Sequence, residues 1–299
     1  MKIISLIPSA TEIISFLGLE ENLVGVSHEC DNSVKVKALP KVTKSNIKKD
    51  TDSFTVNRDI IKILNLGLSV YEVDTKLLKS LDPDVIITQS QCSVCAVSIK
   101  DVEKSLGAFL DKKPMLIDLH PNTFEDVMFD ICKIGNYFKK NDMAFKFKEI
   151  YTTKILDIKK KLNKQSIKSI LCIEWLDPFM IAGNWIPDLL KICNARAVGS
   201  RSSEKSHFTK PLDMNFTGID AIIFMPCGYD IMTTKKELEL KNYDYLKKFK
   251  NIKKFIVDGN KYFNRPGPSL VESLDILCEI IYPKLFHPKP NVQRWIEFK

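Results

Sequence analysis

No stretch of this sequence approaches the ~18 continuous apolar residues that a membrane-spanning helix requires, so insertion through a helix is excluded. No long block of one charge sign occurs either; charged residues make up 27% of the 299 residues and are mixed, unlike a self-repelling disordered chain. Arginine is scarce where bidentate phosphate contacts would need it. The net charge of +8 comes almost wholly from lysine. Runs such as Lys159-Lys160-Lys161 and Lys247-Lys248 sit between apolar residues at helical spacing, as on a solvated helix face, and no nucleic-acid motif accompanies them. The chain also lacks a phosphate loop, a Gly-rich dinucleotide fingerprint and a Ser-His-Asp order. Of its 4 histidines, His120, His207 and His287 stand isolated, as structural or surface residues.

The 8 cysteines are too thinly spread for a disulfide scaffold. Cys132, Cys172, Cys193 and Cys278 fall inside apolar helix or strand patterns and read as core fillers. The chain also lacks the apolar run and small-residue cleavage site of a signal peptide. Its apolar start stops at Pro8, and Ser9-Ala10-Thr11-Glu12 fits a capping box. The expectation is a cytoplasmic protein with reduced thiols.

What the chain does contain is an alternation of short apolar strands and helical segments, with 44% hydrophobic residues to fill a core. Strands are expected over residues 3–7, 23–26, 84–88, 115–119, 167–173, 221–225 and 253–257. Helices are expected over 11–17, 54–66 (closed by Gly67), 123–138, 187–193 and 269–281. The pattern predicts an α/β fold built of βαβ units with mostly parallel sheets. A longer helix over 143–162 carries one apolar stripe of Met143, Phe147, Ile150, Tyr151, Ile155, Ile158 and Leu162. It is long enough to bridge two lobes, giving an N-terminal α/β lobe over 1–122, a helical connection over 123–165 and a C-terminal α/β lobe over 166–299.

Ligands of open α/β sheets bind beyond the carboxyl ends of the strands. The segments that follow the expected strands are Ser27-His28-Glu29-Cys30-Asp31, Gln89-Ser90-Gln91-Cys92-Ser93-Val94-Cys95, Glu174-Trp175-Leu176-Asp177-Pro178 and Pro226-Cys227-Gly228-Tyr229. All carry unusual polar or sulfur-bearing residues and are expected to converge on one cleft. Tyr262-Phe263-Asn264-Arg265-Pro266-Gly267-Pro268 is a fifth segment, with aromatics to stack on a flat ligand and Arg265 to meet an anion. His28 and Glu29 are neighbours in the chain. In an extended segment they would point to opposite faces, which argues against an acid–base dyad.

Cys30, Cys92, Cys95 and Cys227 supply the ligand types of a zinc or iron–sulfur site. The alternatives are a redox pair at Cys92 and Cys95, thiol contact with a bound cofactor, or small residues lining a dry pocket.

The segments Ile4-Ser5-Leu6-Ile7-Pro8-Ser9-Ala10-Thr11-Glu12, Gly25-Val26-Ser27-His28-Glu29-Cys30-Asp31, Cys92-Ser93-Val94-Cys95-Ala96-Val97-Ser98, Glu174-Trp175-Leu176-Asp177-Pro178, Pro226-Cys227-Gly228 and Asn264-Arg265-Pro266-Gly267-Pro268 resemble the class III periplasmic binding proteins. These are the substrate-binding proteins of cobalamin and siderophore ABC importers, and the likeness is to a cysteine-bearing, cobalamin-binding-like subgroup. The resemblance implies two Rossmann-like lobes joined by one long helix, a ligand between them, cobalamin as that ligand, and no catalysis. It implies ligand contacts at Pro8, Ser9, His28, Glu29, Cys30, Asp31, Gln91, Cys92, Cys95, Glu174, Trp175, Asp177, Cys227, Gly228, Tyr229, Phe263 and Arg265. With no export signal expected, an ABC permease is a doubtful partner. The rival expectation is a cytosolic enzyme or cofactor carrier using the cysteine-held metal or iron–sulfur cluster.

Overall fold

The computed structural model describes residues 1–47, 51–66, 68–91, 102–103 and 113–299. Gly67, Cys92 and Cys95 lie outside them. The chain divides into two compact units, Met1–Pro121 with Met128–Phe145, and Asn122–Val127 with Lys146–Lys299.

In the first unit, β1 (Ile3–Ser5), β2 (Leu23–Val26), β5 (Val85–Gln89) and β6 (Met115–Leu119) form a parallel sheet in the order β2-β1-β5-β6. Ile3, Ile4, Ile86 and Ile87 are fully buried, as expected of central strands covered on both faces. They pair in register, Ile3 with Val85 and Ile4 with Ile86. A short antiparallel ladder of β3 (Thr43–Ser45) and β4 (Tyr71–Val73) lies between β2 and β5 in the chain.

The first helix runs over Pro8–Phe16, with Ile7 at its N-cap and no side-chain cap. The expected capping box at Ser9 and Glu12 is therefore corrected. Proline's fixed φ suits the first helical position, where its missing N–H costs nothing, so the helix starts one residue before Ser9. The serine turns inward instead and is fully buried. Three of the helices that had no expectation open on a side-chain cap. Ser33 accepts from Val36 N, Asp74 from Leu77 N and Asp230 from Thr233 N, opening Val34–Ala38, Thr75–Leu81 and Ile231–Lys241.

In the second unit, β7 (Lys168–Trp175) is the central strand. It pairs in parallel with β11 (Ala221–Phe224), and β11 with β12 (Lys253–Val257). The other edge of β7 is shared lengthwise by β9 (Ala195–Ala197), parallel, and β8 (Met180–Ile181), antiparallel. β10 (His207–Phe208) extends β8, and β13 (Trp295–Phe298) closes the far side antiparallel to β12. Leu171, Ile173, Ile222, Phe224 and Phe249 fill the core, and Phe179 meets Tyr245 edge to face with ring centres 5.0 Å apart. Ahead of β13, buried Arg294 pairs with Glu279, whose other oxygen accepts from Trp295 Nε1 at 3.0 Å.

The long helix spans Asn141–Leu162. Its first turn belongs to the first unit and the remainder to the second. At 1.5 Å per residue it is about 33 Å long. Phe147, Tyr151, Ile158 and Leu162 form the buried stripe, but Ile150 is exposed. Tyr151, the next residue, takes the inward direction and stacks on Phe124 with ring centres 4.4 Å apart.

Candidate functional site

In the first unit the chain leaves β1 for β2 on one side and returns to β5 on the other. That reversal makes the carboxyl ends of β1 and β5 a topological switch point, the place where open α/β sheets take ligands. Polar side chains gather there. Ser9 Oγ donates to Gln89 Oε1 (3.3 Å), and Gln89 Nε2 donates to Gln91 Oε1 (2.8 Å), so a buried serine is linked to a half-buried amide. Thr11 Oγ1 donates to Ser5 Oγ (2.8 Å) and lies 3.0 Å from Cys30 Sγ. Thr11 Oγ1 also reaches Ile7 O at 3.3 Å, and Cys30 is buried.

The segment after β2 is a turn, with Cys30 N donating to Ser27 O at 3.1 Å. This corrects the expectation of opposed His28 and Glu29 side chains, which assumed extended backbone. His28 Nε2 lies 3.2 Å from Glu29 Oε1, close enough to pair as charges but not aligned for a hydrogen bond. The other ring nitrogen, Nδ1, is 2.8 Å from Thr43 Oγ1, and the ring rests against Tyr71. Asp31 is exposed and Pro8 half-buried. At the end of β6, Ser90 Oγ donates to Asp118 Oδ2 (2.7 Å), and His120 Nε2 lies 2.6 Å from the same oxygen. His120 is therefore paired rather than isolated. Thr11 and Asp118 were not among the expected contacts, although Asp118 sits near the end of an expected strand, and Gln89 stood in an expected strand-end segment without being assigned a contact.

In the second unit, Glu174 near the end of β7 accepts from Ser206 Oγ at 2.7 Å, and Ser206 Oγ in turn accepts from Gly183 N at 2.9 Å. A side chain at position 183 would sit 2.6 Å from Ser206 N and 2.3 Å from Glu204 O, so only glycine lets this backbone approach. Packing raises the Glu174 carboxyl to about 7; the Ser206 hydrogen bond opposes that rise. Trp175 is half-buried and its ring lies 5.4 Å from that of Tyr229. Cys227 N donates to Glu174 O (3.1 Å), tying the two strand-end loops together. Asn264 Nδ2 donates to Met225 O (2.9 Å), and a Cβ on Gly259 would meet Pro226 O at 2.3 Å. The Asn264 segment is thereby held against the Cys227 loop.

Three expected contacts of this unit are buried away from solvent. Phe263 is fully buried and its carbonyl accepts from Trp185 Nε1 at 2.9 Å. Tyr229 is buried with its hydroxyl donating to Glu237 Oε2 at 3.0 Å. Arg265, only 8% exposed, donates to Asn260 Oδ1 at 3.1 Å. All three brace the loops, whereas Trp175, Asp177 and Cys227 are half-buried and Gly228 is exposed. A surface cavity of about 280 Å³ in this unit is lined by Thr123, Phe124, Glu125 and Asp188 among others; these lie at the starts of two helices, not in the strand-end loops.

Among the described residues no group of three His, Cys, Asp or Glu is placed to hold a metal. Cys30 and Cys227 belong to different units.

A periplasmic heme-binding protein from Pseudomonas aeruginosa matches 100% of this chain and 98% of its own, at a TM-score of 0.71 and 15% identity. The chain has the fold of ABC-importer substrate-binding proteins. An ABC transporter substrate-binding protein from Listeria monocytogenes EGD-e (TM-score 0.70, 15% identity) covers 94% of this chain and 98% of its own. The periplasmic vitamin B12 binding protein BtuF of Vibrio cholerae (TM-score 0.64, 14% identity) covers 93% and 94%. In sequence, the chain is 24% identical over 294 residues to an uncharacterized ABC transporter substrate-binding lipoprotein, YvrC, of Bacillus subtilis (strain 168), covering 95% of this chain and 81% of the relative. No family model matches the chain.

These findings overturn the expectation of a cytoplasmic protein, since the relatives are lipoproteins or periplasmic proteins. That expectation rested on a strand beginning at Ile3, which reports where the fold begins and carries no address. The doubt about an ABC permease partner had the same basis and falls with it.

Proposed function

We propose that this chain is the substrate-binding component of an ABC importer, working outside the cytoplasm and delivering a sizeable organic ligand to a membrane permease. The supporting observation is the whole-length likeness to substrate-binding proteins, in a chain whose strand-end loops carry clustered polar and aromatic side chains. The ligand class we favour is a cobalamin-like corrinoid, with heme next in line; solved neighbours are described as vitamin B12 and heme binders. We assign contacts to His28, Glu29 and Gln91 in the first unit and to Trp175, Asp177, Cys227 and Gly228 in the second. Half-buried Trp175 suits the face of a flat macrocycle. The rival reading, an enzyme or carrier built on cysteine-held metal, has no supporting observation.

Thermal-shift measurements with cyanocobalamin, cobinamide, hemin and a ferric siderophore test this. One macrocycle is expected to raise the midpoint, with a gain of about 2.7 kcal/mol at 100 times Kd. Trp175→Ala is expected to weaken that binding roughly tenfold or more, the ~1.4 kcal/mol or more expected of a lost aromatic anchor. No shift with any of the four would remove the reading.

A further inference from the structure

Cys193 closes the helix Ile186–Ile192, and Cys278 lies in the last turns of the helix Leu270–Ile281. Both are fully buried. Cys278 Sγ donates to Cys193 Sγ across 3.5 Å, although 85 positions separate them in the chain. We propose that Cys193 and Cys278 are joined as a disulfide when this chain folds in an oxidising medium.

A disulfide needs its sulfurs about 2.05 Å apart. From 3.5 Å the remaining closure is about 1.5 Å, which the proposal assigns to rotation about the Cα–Cβ bonds. The two backbones are also held together independently of the sulfurs. The Tyr282 hydroxyl, one turn beyond Cys278, lies 2.8 Å from the carbonyl oxygen of Asn194, the residue after Cys193. The thiols are therefore brought into contact by packing that does not need the bond.

The chemistry requires an oxidant, and a low-molecular-weight disulfide serves. One cysteine thiolate attacks it, forming a mixed disulfide and releasing one small thiol. The second cysteine thiolate then displaces the other small thiol. Two cysteine thiols give up two protons and two electrons in all, and the small disulfide is reduced to two thiols. Timing follows from burial. In the folded unit, enclosure holds the Cys193 thiol well above its ordinary value, so the reduced pair is a poor nucleophile there and is screened from oxidant. The bond forms during folding, while both thiols are still accessible.

The inference rests on the extracytoplasmic setting proposed above only for its oxidant. In the test, reduced and denatured full-length protein is refolded in a glutathione redox buffer, alkylated, and mapped by mass spectrometry without reduction. The expected product is a peptide pair linking Cys193 to Cys278, lighter by two hydrogens than the separate peptides. A thermal midpoint higher than that of protein refolded with reductant should accompany it. Cys278→Ser should lose both the linkage and the reductant-dependent shift. If that variant fails to fold, the oxidised and reduced wild-type proteins carry the comparison alone. Recovery of both cysteines as alkylated thiols after oxidative refolding would overturn the inference and leave the ligand reading untouched.

Discussion

Glu174 shows how one residue sets a pH dependence. Its carboxyl moves from an ordinary 4.5 to about 7 on folding, mainly through burial. Between those values the folded protein keeps a proton that the unfolded chain releases, so stability falls as pH rises. The contribution is fully present below about 4.5 and is lost as pH passes through about 7. At about 1.4 kcal/mol per pKa unit the whole shift would be worth roughly 3 kcal/mol. Partial exposure to water reduces it to about 1–2 kcal/mol. Glu174→Gln keeps an acceptor for Ser206 and abolishes the titration. Urea unfolding across pH should find the variant more stable than wild type above about pH 7, with the difference gone below about 4.5. Parallel profiles would show that Glu174 does not titrate this way. Glu174 was legible as a strand-end residue, but its partner was not. Ser206 comes 32 positions later in the chain, in a stretch with no periodicity, and tertiary pairing, of β10 with β8 and of the Asn184 and Glu204 backbones, brings it near.

At the scale of elements, strands long and apolar enough to carry their own pattern were legible, and those defined by a partner were not. β5, β6, β7 and β12 fell within about two residues of expectation. β8 and β10 have 2 residues each, too few for any period, and exist because a neighbouring edge accepts them. The helix Ile231–Lys241 was missed because its apolar stripe is weak, yet the Asp230 cap stands in the sequence. Asp230→Ala should cost about 1 kcal/mol in urea unfolding, as Asp230 accepts from Thr233 N at 2.7 Å. A larger effect is expected at Gly259. Alanine there would press a methyl group against the Met225–Pro226 backbone and cost about 1–3 kcal/mol. A Gly259→Ala protein with an unchanged midpoint would contradict the close approach.

Across the whole molecule the α/β alternation announced the architecture, because buried parallel strands and covering helices each impose a period on the sequence. The location of the protein was not legible, since the first strand reports folding and not destination. The strand-end position of His28, Glu29 and Trp175 was legible, but burial could not be read from the loops: Phe263 and Arg265, expected at the ligand, are enclosed.

The last strand of the second unit has a consequence for how the protein is made. β13 pairs with β12 across the intervening helix Leu270–Ile281, and the pair formed by Arg294 with Glu279 is set just before it. The edge of that sheet therefore stays open until nearly all of the unit has left the ribosome. Such long-range closure is slow. Under the extracytoplasmic role proposed above, that delay is an advantage, because translocation can outrun the final pairing step.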